Sequence, residues 1–137
     1  MKILGLKIVP VLVAAVVVYA LGAVIYGVLF GEQWMTWAST TKDDFVGYEW
    51  RMALSWIMPL ALALGIGHRL KQKQVTEMKT ALKVGVYIAL FLILAGRLYA
   101  YVYGTEPWQL LALDSFHTLL ICTSAAAVLT LMKISED

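Results

Sequence analysis

Residues 8–30 run without a single charged side chain. At about 1.5 Å rise per residue, a helix of this length crosses the ~30 Å hydrocarbon core of a bilayer. In lipid a chain must satisfy its own backbone, and an open-ended segment does so only as a helix. Three more apolar segments follow, at 52–67, 80–103 and 108–132. The chain is 61% hydrophobic and 15% charged, with a mean hydropathy of +0.78. Soluble domains are nearer half apolar and a quarter charged. The expected fold is therefore all-α: an integral membrane bundle of four antiparallel transmembrane helices, in one domain over residues 1–137.

The first run is too long for the ~7–15-residue apolar region of a signal peptide, so it reads as a retained span. Pro59 interrupts the second segment. It cannot donate to the Ser55 carbonyl, which predicts a kink there. The formal charge of +2 is too small to recruit nucleic acid. The one cysteine, Cys122, excludes an internal disulfide and any multi-cysteine metal site, and its apolar surroundings make it a packing residue.

The connections orient the bundle. Segment 68–83 carries Arg69, Lys71, Lys73, Lys79 and Lys83 against Glu77, whereas the turn 104–107 carries no base. The positive-inside rule places the basic loop in the cytoplasm, with both termini beside it. The acidic first loop, 31–51, then lies outside. Trp34, Trp37, Trp50, Trp56 and Trp108 gather toward that outer side, with Tyr26, Tyr48, Tyr99, Tyr101 and Tyr103. Such a one-sided rim anchors the chain at the interface, or docks a lipid, a quinone or a partner helix. Within the loop, Trp34 and Trp37 lie one turn apart, as in a short interfacial helix. The sequence Thr41-Lys42-Asp43-Asp44 reads as a helix start. Residues 26–34 and 99–108 share a Tyr, Gly, Glu and Trp pattern, consistent with two parallel-repeat hairpins. Gly22, Gly27, Gly85, Ala89 and Gly96 would permit close helix approach.

Three ionisable residues interrupt the last hairpin. Arg97 and Asp114 flank the turn at similar distances, so an antiparallel hairpin places them at one depth. A lone charge there costs about 2.5–3.5 kcal/mol on insertion scales, which favours pairing. His117 follows Asp114 on the same face, one turn deeper, and Tyr101 follows Arg97 toward the surface. The cluster Arg97, Asp114, His117 and Tyr101 is either a structural lock or a polar site for protons, anions or headgroups. These residues offer too few ligands for a metal. His68 and His117 differ too much in depth to share a haem. No cofactor is expected, and no catalytic motif is present.

The first span contains Leu21-Gly22-Ala23, Tyr26-Gly27, Leu29-Phe30-Gly31 and Trp34-Met35. This pattern resembles an uncharacterised bacterial family of small four-span inner-membrane proteins, a domain of unknown function. In that family's last helix an Asn or Asp precedes an aromatic residue or His by three positions, the places of Asp114 and His117 here. Arg97 is not part of the family pattern. The resemblance implies a four-span fold in a bacterial inner membrane and no particular activity. The expected role is a small accessory or interaction subunit, with a membrane-protein partner or self-association in surrounding lipid. Alternatives are a small transporter or proton-coupled carrier built on the polar cluster, and a lipid- or quinone-binding protein built on the rim.

The orientation has a direct check. Cysteines introduced at Gln72 and Asp137 should react with impermeant reagents only from the cytoplasm, and one at Thr105 only from outside. Labelling of Thr105→Cys from the cytoplasm would reverse the topology.

Overall fold

The computed structural model describes residues 1–134; Asp137, one of the labelling positions, lies outside the described residues. Four helical segments are long and apolar enough to cross a membrane: span 1 (Ile8–Leu29), span 2 (Trp50–Gln72), span 3 (Met78–Tyr103) and span 4 (Trp108–Leu131). Together they form an all-α, four-helix membrane fold. Span 4 is central and packs on all three others, while spans 1 and 3 lie on opposite sides of it. Hairpins 1–2 and 3–4 both pack closely. Span 1 meets span 4 far more extensively than span 3 meets span 2, so any twofold relation between the hairpins is approximate.

Each span buries one stripe at helical spacing. Span 1 buries Val11, Ala14, Ala15 and Val18; span 2 buries Ala63, Ile66, Gly67 and Leu70. Span 3 buries Ala81, Val84 and Gly85, and span 4 buries Cys122, Ala125, Ala126 and Leu129. Lipid offers helices no hydrophobic reason to associate, so small residues that let backbones approach supply the packing. Gly85 is the tightest case: a Cβ there would stand 2.8 Å from the Cys122 carbonyl oxygen. Gly22 faces His117, whereas Gly27 and Gly96 face open space and serve no close approach.

Proline marks helix starts. Pro10 and Pro59 sit in the first turns of α1 (Ile8–Ala23) and α4 (Ile57–Gln72). Pro107 is the N-cap of α7 (Trp108–Leu131). A first turn has no intrahelical use for the missing N–H. The disturbance expected from Pro59 appears as an interruption at Ser55 and Trp56, beside the carbonyl that Pro59 cannot bond. α3 (Trp50–Leu54) ends at Ser55, whose hydroxyl donates to the Met52 carbonyl at 2.5 Å. Span 2 also continues beyond Gly67, because the polar residues 68–72 keep the helix going past its apolar part.

Three of the helices end in the same way. α2 (Gly31–Trp37), α4 and α7 are each followed by a left-handed residue, Ser39, Gln74 and Lys133. The next N–H reaches back five residues: Thr40 to Met35, Val75 to Leu70, and Ile134 to Leu129. This is the Schellman closure, and the buried Val75 and Ile134 supply its usual hydrophobic contact.

A feature the sequence did not announce closes the end of the bundle that holds both termini. β1 (Lys2–Ile3) and β2 (Leu6–Lys7) form a two-residue antiparallel ladder. Leu4 and Gly5 turn between them at φ of 52° and 74°, the signature of a tight primed hairpin turn. Lys71 Nζ donates to the Gly5 carbonyl at 2.7 Å, and Leu6 is fully buried beside Gly67.

At the other end, α2 and a 3-10 turn (Lys42–Phe45) form most of the first loop. Thr41 and Asp44 make a reciprocal capping box. The Thr41 backbone N–H, then its hydroxyl, hold the Asp44 carboxyl below the usual carboxylate range.

The Gly85 contact yields a stability test. Gly85→Val should lower stability in detergent by roughly 1–3 kcal/mol, since the span 4 backbone cannot move aside. Gly65→Ala, where a Cβ meets nothing within 4 Å, should be neutral or slightly stabilising. Thermal unfolding of both variants checks this.

Candidate functional site: an intramembrane charge cluster

Span 4 carries several polar side chains, and two of them bond within the helix itself. Ser115 and Thr123 donate to the carbonyls of Leu111 and Leu119 one turn back, at 2.7 Å each. Asp114 has no donor to give in its ionised form. It must find donors on other spans.

It finds two. Arg97 Nε donates to Asp114 Oδ2 at 2.6 Å, and the Tyr26 hydroxyl donates to Asp114 Oδ1 at 2.6 Å. Arg97 and Asp114 each lie six residues from their helix ends at the turn, about 9 Å in. Glu106, in the turn itself, reaches back to Arg97 Nη2 at 2.6 Å. The guanidinium is thus held between two carboxylates. Arg97 is 24% exposed and Asp114 19%, so the pair is largely but not wholly shielded.

Two widened helical turns aim these groups. Residues Ala89–Leu94 form a π-helical turn in span 3. The buried stripe steps five residues across it, from Ala89 to Leu94, and Arg97 follows one turn later. Regular winding would have turned Arg97 away from span 4. A second π-helical turn, Val24–Leu29, carries Tyr26 in span 1. Such turns recur where a helix must present a side chain off its regular face.

His117 sits one turn deeper than Asp114. Its ring meets Tyr26 edge-on, with centroids 4.8 Å apart. Gly22 leaves it room, since a Cβ there would lie 3.4 Å from Nε2. His117 Nε2 is buried and has no hydrogen-bond partner among the described residues. Trp34, on α2, packs edge-on against Tyr26 and stacks on Phe45, so the first loop covers the cluster.

The structure brings Arg97, Asp114 and His117 together. Tyr101 is half-buried and makes no hydrogen bond to them among the described residues; the hydroxyl comes from Tyr26. The sequence alone places Tyr26 in the aromatic rim and Glu106 only in the shared Tyr, Gly, Glu and Trp pattern. Glu106 had a readable signal, as the acid in the tight turn beside Arg97. The outer aromatics divide. Trp34 and Trp37 are half-buried, while Trp50, Tyr99, Tyr103 and Trp108 are exposed. Trp56 instead lies flat on Tyr19, centroids 4.0 Å apart. His68 is remote from the cluster and contacts Gln72.

A family model covers residues 9–130, from the first span to the end of the last. The chain belongs to the family described as Protein of unknown function (DUF1761). No curated protein and no solved structure matches it significantly. Family membership brings no activity with it, so the cluster must be read from its own geometry.

Arg97→Ala and Asp114→Ala should each destabilise the protein by about 2–4 kcal/mol, because each strands a shielded charge. The double variant should lose clearly less than the sum. Tyr26→Phe should cost about 1–2 kcal/mol by removing one bond to a charged acceptor. Unfolding in detergent measures all four.

Proposed function

We propose that this protein is a small accessory subunit of a bacterial inner membrane, with both termini in the cytoplasm. It holds a membrane-protein partner or a second copy of itself. The observation that carries this reading is the closure of the charge cluster. Arg97 contacts Asp114 and Glu106, and the second Asp114 oxygen accepts from Tyr26. A carrier must free its binding groups in turn, and here each release would strand a charge inside the bundle. Exposed Tyr99, Tyr103 and Trp108 around the outer end of the last hairpin provide the contact surface. Interfaces are enriched in such aromatics.

One observation favours a second reading, a proton-coupled carrier: the buried Nε2 of His117, which has no partner among the described residues. A relay histidine would titrate between about pH 5 and 8. Two measurements separate the readings. In proteoliposomes the wild type should pass no more protons than protein-free vesicles across that range. In mild detergent, membrane extracts should show a complex larger than the monomer. That complex should collapse when Tyr99, Tyr103 and Trp108 are changed to Ala. Proton flux abolished by His117→Gln, or a monomer under all conditions, would contradict the proposal.

A further inference from the structure

The loop end of span 3 presents a second surface, remote from the charge cluster. Lys79, Lys83, Tyr87 and Phe91 follow one another at four-residue spacing, with Leu82 and Val86 beside them, and together they line a shallow groove. Residues at this spacing share one helix face. It is not the packing face, because Ala81, Val84, Gly85 and Ala89 turn toward the bundle. The groove therefore looks into the membrane.

Its charge is one-sided. Lys79 and Lys83 are exposed, and neither has an ion-pair or hydrogen-bond partner among the described residues. The nearest acid in sequence, Glu77, is two residues from Lys79, on a different face, and accepts from the Thr80 hydroxyl at 2.9 Å. Beyond the lysines the groove is apolar. The Tyr87 and Phe91 rings pack 5.1 Å apart at its far end. From Lys79 to Phe91 the helix advances about 18 Å, enough to run alongside much of one acyl chain.

We propose that this groove binds an anionic phospholipid. The phosphate sits on Lys79 and Lys83, and an acyl chain lies along Leu82, Val86 and Phe91. Charge complementarity selects this occupant over a second copy of the chain. Two copies inserted in the same sense and packed through this face would bring Lys79 and Lys83 against their own counterparts, an arrangement that repels. An anionic headgroup removes that repulsion, and each lysine near a membrane surface favours acidic lipid. The proposal does not depend on the accessory role or on which leaflet the lysines face.

The test uses the purified full chain in detergent with equimolar phosphatidylglycerol and phosphatidylcholine of identical acyl chains, read by native mass spectrometry. The wild type should retain phosphatidylglycerol about tenfold over phosphatidylcholine. Lys79→Gln with Lys83→Gln should bring the two to parity. Arg69→Gln with Lys73→Gln removes the same charge from the same end of the bundle, off the groove, and should leave the preference intact. Phe91→Ala should lower retention of both lipids. Glycerol 3-phosphate, which lacks acyl chains, should fail to compete. Four results would overturn the proposal. They are parity in the wild type, equal loss in the two lysine and arginine pairs, full competition by glycerol 3-phosphate, and a dimer that grows when Lys79 and Lys83 are neutralised.

Discussion

A guanidinium about 9 Å inside a helical hairpin cannot shed its charge, and lipid gives it nothing to bond. The half of this fold that holds the last turn is organised around that fact. Asp114 on the facing span and Glu106 in the turn hold Arg97 from two sides. Asp114 in turn draws Tyr26 from span 1, which no turn connects to the last hairpin. Trp34 then rests on Tyr26 and brings the first loop over the bundle. One largely shielded charge thus links spans 1, 3 and 4 with the first loop and the last turn.

The opposite half is held differently. Its core is apolar and rich in small residues, with Ala14, Ala63, Ala81, Ala125 and Ala126 all fully buried. The terminal hairpin plugs it through Leu6, beside Leu129 and Ile134 around Gly67. Close backbone approach supplies dispersion contacts, whereas the polar half supplies direction and register. A bundle of alanines alone would slide; an ion pair at fixed depth does not. The division also accounts for the two π-helical turns, one at the middle of span 3 and one at the loop end of span 1. The polar groups need aim there, and regular stripes suffice below.

Much of this was legible before any coordinates. Four apolar runs and the absence of alternatives in lipid set the all-α membrane fold. Counting from the turn places Arg97 and Asp114 at one depth, and they lie 2.6 Å apart. Tyr26 was not legible as a member of the cluster. Its position looks interfacial, and the widened turn that aims it leaves no mark in residue type. The interruption of span 2, by contrast, was legible, since it falls at Ser55, whose carbonyl Pro59 cannot bond. The terminal hairpin was hidden because two residues per strand carry no periodicity.

Arg97 is thus a fixed structural charge and not a mobile one. Solvent exchange of the Arg97 Nε–H, followed by NMR of the protein in lipid nanodiscs, tests it most directly. A proton held on Asp114 beneath the Trp34 loop should exchange far more slowly than that of Arg69, which is exposed at the other end of the bundle. Exchange as fast as that of Arg69 would mean that the guanidinium is free to move, and would contradict the account.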